Sequence, residues 1–466
     1  MKRQSVYLIC IGILNFFLFT GVFKLLQNEK IYHNTLGTIS ENYERTGGWD
    51  NYEIKKISKP FLQIKNEYFE TWDAAIYKCV SERIYSPEND CYGNVRAAFF
   101  PLFPVLWKIT FSSSIGISII NYFLFILSIA FLVMFLLKTT LSDKMVTYAV
   151  LITLPSAVIF YIPYTEALFL FTMTVAVTGI IKKKYWMYFA GSFLLSMVRP
   201  ATIFVLIAVL FAEVIILIYN KNYRLFLKEI LFKSFPFIFG YFCVLFLQYL
   251  YTGTWTAYLE AQKLWAGGFQ AVKSISDWSI EGFGLSSFAI FFVCLPAIFF
   301  IIFLLFFINK RCAGDYIQKI KNYHFEYLFL ISALYFIGIL AFTLITSGGN
   351  LHSFFRFTLA SPLFYIALLI FLNYLSKKPL KLFISTFILL NVLLILFLHF
   401  AEYGGERMQF SFFGLYMFMA AGLFLIIKNI ISKPIQIVIA FVIIILNTIW
   451  NTYLLNAFFS NGWLFT

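Results

Sequence analysis

A carboxylate held beside aromatic and apolar side chains is a simple device for taking a proton from a hydroxyl at a lipid surface. The chain offers one in Glu70-Thr71-Trp72-Asp73-Ala74-Ala75-Ile76-Tyr77. Phe69, Trp72, Ile76 and Val80 recur at helical spacing. This predicts a short amphipathic helix lying in the membrane interface, with Trp72 as its headgroup-level anchor. Asp73 and Tyr77 are four apart and share a face of that helix. Asp73 reads either as a general base, needing only a modest rise from a pKa of about 3.9, or as a solvated loop carboxylate or helix cap. A second pair, Trp49-Asp50, lacks the helical register and reads as loop. Pro101 and Pro104 among aromatics predict a re-entrant or interfacial segment.

Glu166, in Pro163-Tyr164-Thr165-Glu166, lies between two apolar runs. It is a candidate functional carboxylate at a span boundary, or a charge that starts the next helix. Arg199 and Arg356 fall on the non-cytoplasmic side, against the positive-inside trend. A guanidinium there can grip a phosphate bidentately, or snorkel to lipid headgroups. Arg407 has a weaker context. Gln262-Lys263-Leu264-Trp265 adds an amide and an indole in a later polar stretch. No D-x-D pair, phosphate-loop glycine pattern or Cys/His spacing occurs, so no metal and no cofactor is expected.

The elements that must position these groups follow from composition. Of 466 residues, 61% are hydrophobic, 21% aromatic and 12% charged. A soluble globule cannot hide that much apolar surface, so the chain is read as an all-α polytopic membrane protein. Apolar runs predict about 13 spans, the first an uncleaved Ser5–Gln27 after Lys2-Arg3. The later ones are Ser114–Leu137, Val146–Tyr161, Thr165–Ile181, Tyr185–Val198, Ala201–Tyr219, Phe235–Tyr251, Ser287–Ile308, Phe325–Ile345, Phe357–Leu375, Leu382–His399, Ser411–Ile427 and Ile435–Leu455. Pro200 predicts a break after Arg199.

With Met1 cytoplasmic, Lys182-Lys183-Lys184, Lys221, Arg224, Lys228, Lys233, Lys319, Lys377 and Lys378 all fall on the cytoplasmic side. The net charge of +14 is therefore mainly a topology signal rather than a nucleic-acid footprint. Residues 1–466 read as one transmembrane domain. Its two large external loops are 28–95, which carries Asp73, and 252–286. Cys79 and Cys91 share the first loop, where an oxidising compartment would permit a disulfide. No internal repeat is evident, which weighs against a transporter.

Five motifs in order resemble the GT-C superfamily of integral-membrane glycosyltransferases, and within it the PIG-V-like family of GPI mannosyltransferase 2. They are Trp72-Asp73-Ala74-Ala75-Ile76-Tyr77 with Phe99-Phe100-Pro101-Leu102-Phe103-Pro104; Pro155 to Phe160 with Tyr164-Thr165-Glu166-Ala167-Leu168-Phe169; Met197-Val198-Arg199; Gly253 to Tyr258 with Ala261-Gln262 and Trp265; and Arg356-Phe357-Thr358-Leu359-Ala360-Ser361-Pro362. Two departures, Cys79-Val80-Ser81-Glu82-Arg83-Ile84-Tyr85 and Thr254, bear on acceptor specificity.

The resemblance implies a GT-C fold and a polyprenyl-phosphate sugar donor, often mannose. It implies a lipid or glycan acceptor at the non-cytoplasmic face, and inversion at the anomeric carbon. Asp73 would then act at the reaction centre, with Arg356 or Arg199 on the leaving lipid phosphate. Trp72, Tyr77, Tyr164, Glu166, Gln262 and Trp265 would line the substrate site. A flippase of lipid-linked glycan and a ligase of preassembled glycan remain as alternatives. The Phe/Ile/Lys/Asn-rich composition points to a bacterial inner membrane; a eukaryotic member would act in the endoplasmic reticulum.

Overall fold

The computed structural model describes residues 2–36, 43–48, 51–56, 61–85, 93–266, 289–306, 324–346, 354–375 and 431–461, with isolated positions 379, 381, 384 and 422. Among these, six helices are long and apolar enough to cross a membrane: Gln4–Leu26, Ser114–Leu136, Thr202–Tyr219, Tyr223–Thr252, His324–Ile345 and Lys433–Phe459. Shorter apolar helices cover Glu166–Ile181, Phe292–Phe306 and Pro362–Tyr374. The chain is a multi-pass helical membrane protein. Apart from Ile384 and Gly422, the expected spans Leu382–His399 and Ser411–Ile427 lie outside the described residues, as do Asp50, Cys91 and Arg407.

The chain divides into two compact units. The first comprises Met1–Trp72, Phe125–Ile162 and Leu368–Thr466. In it α1 (Lys2–Leu26), followed by the short α2 (Glu29–Thr35), packs with the helices Leu141–Leu151 and Lys433–Phe459. The span expected at Val146–Tyr161 is broken. Its helix ends at Leu151, and a 3-10 turn follows at Ala157–Phe160.

The break is stabilised from a distance. The Asn451 amide donates to the Thr153 and Leu154 carbonyls at 3.0 and 2.9 Å, and accepts from the Val158 N–H at 3.1 Å. The Thr153 carbonyl and the Val158 N–H, which the broken helix leaves without helical partners, are thereby satisfied, and the Leu154 carbonyl, which also accepts from the Ala157 N–H at 2.8 Å, gains a second donor. Buried Asp143 is matched by the Lys433 ammonium at 2.6 Å. The first polar stretch also holds an antiparallel hairpin, Tyr43–Gly48 with Asn51–Lys56. The sequence predicts a polar loop there, and the structure differs by this strand pair.

The second unit comprises Asp73–Leu124 and Pro163–Ala367. It contains α3 (Asp73–Arg83), α4 (Leu102–Thr110) and the start of α5 (Ser114–Leu136). Numbering the helix Leu141–Leu151 of the first unit α6, it continues with α7 (Glu166–Ile181), α8 (Tyr185–Ser196), α9 (Thr202–Asn220), α10 (Tyr223–Thr252) and α11 (Ala257–Ala266). A π turn then leads into α12 (Leu295–Phe306), followed by α13 (His324–Thr346) and α14 (Phe354–Thr358).

Helices α7 and α8 form a tight antiparallel hairpin. A Cβ on Gly191 would strike the Ala176 backbone, and one on Gly179 the Tyr188 backbone, so both positions need glycine for the helices to approach. The hairpin turns through a Schellman motif: Lys184 N–H reaches the Gly179 carbonyl at 2.9 Å and Lys183 N–H the Ile180 carbonyl at 3.2 Å. As Pro200 predicts, the chain breaks between α8 and α9, and Thr202 Oγ1 donates to the Leu195 carbonyl across the gap.

Candidate functional site

Helix α3 begins at Asp73, immediately after Trp72 in the left-handed region at φ 55°. That conformation is costly for a bulky residue. It fixes the direction in which the first turn, and with it Asp73, leaves the preceding chain. Burial of Ala74, Ile76, Tyr77 and Val80 seats the helix on the second unit.

Asp73 joins Arg356, Glu166 and Arg199 in one hydrogen-bonded chain, in which it touches Arg356 directly. Arg356 Nη1 donates to Asp73 Oδ2 at 2.8 Å, and Arg356 Nε donates to Glu166 Oε1. Arg199 Nη1 donates to the same Glu166 oxygen at 2.9 Å. The result is a chain Asp73–Arg356–Glu166–Arg199 with two positive and two negative charges. Side-chain exposures are 13%, 9%, 1% and 10%, respectively. Buried ions persist when each is paired and hydrogen-bonded, and this arrangement meets that condition with one oxygen, Glu166 Oε1, serving two guanidinium groups. Glu166 Oε2 is buried and has no hydrogen-bond partner among the described residues.

Aromatic faces complete the packing. The Arg356 guanidinium lies 4.5 Å from the Tyr164 ring centroid. Arg199 sits between Phe357, at 5.1 Å, and Phe169, at 5.6 Å. Such placement favours the cations and stiffens them. Tyr77 packs edge-on against Phe99 and Phe103 at 5.0 and 5.3 Å. Burial, followed by the Asp73 charge, pushes the Tyr77 phenol well above its ordinary value, and the same two causes raise Tyr164. Both phenols are therefore neutral hydrogen-bonding groups at physiological pH. Burial opposes the Arg356 charge, but Glu166 and Asp73 outweigh it and hold the guanidinium firmly protonated.

The loops that carry these side chains are tied down one by one. Asn121 Nδ2 donates to the Tyr164 carbonyl at 2.9 Å, fixing the turn before Glu166. Leu102 N–H donates to the Met197 carbonyl at 3.1 Å, joining the start of α4 to the segment before Arg199. Tyr335 OH donates to the Phe357 carbonyl at 3.0 Å and anchors α14 beside Arg356. Gln248 Nε2 donates to the Ala97 carbonyl at 2.8 Å, and Tyr85 OH to the Phe99 carbonyl. Asn121, Gln248 and Tyr335 are essentially fully buried and were not singled out from the sequence. Asn121 and Gln248 were findable as polar residues inside apolar runs.

Asp73, Tyr77, Tyr164, Glu166, Arg199 and Arg356 thus form one cluster, with Trp72 adjoining Asp73 in the chain. Gln262 and Trp265 fall on α11; Gln262 is half-buried and takes no part in the cluster's ion pairs among the described residues. The expected Pro-bounded aromatic segment forms the start of α4, with Pro101 at its N-cap and Phe103 and Pro104 buried in its first turn, after a 3-10 turn at Gly93–Ala98. Cys79 on α3 is disulfide-bonded; its expected partner Cys91 is outside the described residues. No group of metal-ligating side chains occurs among the described residues. Compared with known proteins, the chain matches no family model, no curated protein and no solved structure.

Proposed function

We propose that the protein is a membrane glycosyltransferase with a GT-C fold of about 13 spans, using a polyprenyl-phosphate sugar, mannose by resemblance, as donor. The acceptor is a lipid or glycan at the non-cytoplasmic face, and the compartment a bacterial inner membrane. One observation carries the reading: the Asp73 carboxylate and the Arg356 guanidinium are in contact at 2.8 Å. A base for an acceptor hydroxyl and a cation for a phosphate leaving group are thus neighbours in a site walled by aromatics.

In the reaction the acceptor oxygen attacks the anomeric carbon as the bond from that carbon to the phosphate oxygen breaks. The electron pair leaves with the lipid phosphate. Asp73 Oδ2 is held by Arg356, and Oδ1 carries no bond among the described residues, so Oδ1 is the atom that takes the acceptor proton. A guanidinium has five N–H donors. Arg356 spends two on the carboxylates and Arg199 spends one, leaving donors for the phosphate charge that grows in the transition state. The neutral Tyr77 and Tyr164 phenols are suited to sugar hydroxyls.

The test is transfer of labelled mannose from a polyprenyl phosphate by the purified full chain in lipid nanodiscs. Consumption of donor with release of polyprenyl phosphate is expected. A protein that leaves the donor chemically intact while moving it across the bilayer is a flippase, and that result would overturn the proposal.

A further inference from the structure

Helix α7 carries Glu166 at one end and Ile180 at the other, about 21 Å away at 1.5 Å per residue. At that far end the second unit has a separate cavity of about 550 Å³. It lies between the end of α7, the start of α8, the end of α9 and the first turns of α10 and α13. Its walls are apolar, with Ile216, Leu225 and Phe226 among them.

Most polar groups in the cavity already have partners. Buried Glu213 accepts from Lys233 Nζ at 2.6 Å and from Tyr327 OH at 2.7 Å. Lys233 also pairs with Glu229 at 3.1 Å and lies 4.2 Å over the Tyr327 ring. The Tyr185 and Tyr188 phenols donate to the Phe232 and Lys233 carbonyls. Two nitrogen-bearing side chains remain unused among the described residues. Lys183 is exposed at the cavity wall with no carboxylate partner. His324 keeps a buried Nε2 with no hydrogen-bond partner. The unspent capacity is therefore mainly that of donors, and Lys221 between α9 and α10, with Arg224 and Lys228 in the first turns of α10, adds positive charge.

We propose that this cavity binds the phosphate group of an anionic lipid, with Lys183 and His324 Nε2–H on the phosphate oxygens and the acyl chains against the apolar wall. It is distinct from the Asp73 cluster, and the inference does not depend on the reaction proposed there. The basic connections place it at the cytoplasmic leaflet.

The test uses the full chain in detergent micelles and measures binding of dioctanoyl phosphatidic acid. Dioctanoylglycerol and inorganic phosphate serve as comparison ligands. Lys183 stands at φ 54°, where glycine is favoured, so Lys183→Gly removes the amine without straining the turn. Phosphatidic acid should bind wild type, and Lys183→Gly should weaken it about 10- to 100-fold, as loss of a charged hydrogen bond does. His324→Phe should weaken it as well. Equal binding of dioctanoylglycerol would mean an apolar groove only. Equal binding of inorganic phosphate would mean a free-anion site. Unchanged affinity in folded Lys183→Gly or in folded His324→Phe would place the phosphate elsewhere. Any of these results overturns the proposal.

Discussion

Glu166 is the hinge of the charged cluster, and Glu166→Gln isolates its charge from its shape. In the wild type one carboxylate oxygen serves both Arg356 and Arg199. Without that charge Arg356 keeps Asp73 at 2.8 Å, whereas Arg199 has no other carboxylate among the described residues. Deleting one partner of a buried pair typically costs about 3–5 kcal/mol, because the other charge is stranded. An amide oxygen can still accept a hydrogen bond, so the lower end, about 3 kcal/mol, is expected here. Arg199→Met removes the stranded cation while a flexible side chain still fills the space between Phe169 and Phe357. The double variant should therefore be more stable than the sum of the two single losses predicts, by about 1–3 kcal/mol. Denaturant unfolding of the four proteins in one detergent measures this coupling. Additive losses, within about 0.5 kcal/mol, would refute the shared-oxygen arrangement.

Three further outcomes are expected. Because the folded-state pKa of Tyr77 is raised, its contribution to stability is complete below the unfolded value of about 10 and is lost as pH rises above it. Stability should fall above about pH 10, and Tyr77→Phe should shallow that fall; an unchanged slope contradicts the burial of the phenol. Peptide mapping without reductant should find Cys79 in a disulfide, linked to Cys91 if the loop reading holds; a freely alkylated Cys79 contradicts it. Reporter fusions should place Lys183 in the cytoplasm and the Asp73 segment outside; an external Lys183 would overturn the orientation.

The cluster was legible residue by residue. Asp73 stands out by its interfacial pattern, Glu166 by its span boundary, and Arg199 and Arg356 as cations against the positive-inside trend. Their partnership was not legible, because Arg356 lies 190 positions from Glu166 and 283 from Asp73, and spacing carries no information over such separations. The sequence offers phosphate binding or snorkelling to headgroups for both arginines, whereas in the structure both are held by carboxylates.

The long apolar helices were readable from hydropathy, as at Ser114–Leu136 and His324–Ile345. The break after Leu151 had a visible signal in Pro155, which the uncharged hydropathy of the run Val146–Tyr161 outweighs in a span assignment. What satisfies its backbone, Asn451, is 298 positions from Thr153. The Glu213–Lys233–Tyr327 group had only Glu213 as a visible signal, an acid inside an apolar run.

The most direct test of the central claim is single-turnover sugar transfer by Asp73→Asn in nanodiscs, with polyprenyl-phosphate mannose as donor. The substitution keeps the size of the side chain and an oxygen that can still accept from Arg356, but removes the base. Loss of general-base catalysis typically costs about 10²- to 10⁴-fold. The account predicts a folded protein that still binds donor and has lost turnover by that factor. Near-wild-type transfer by a folded Asp73→Asn protein would contradict it.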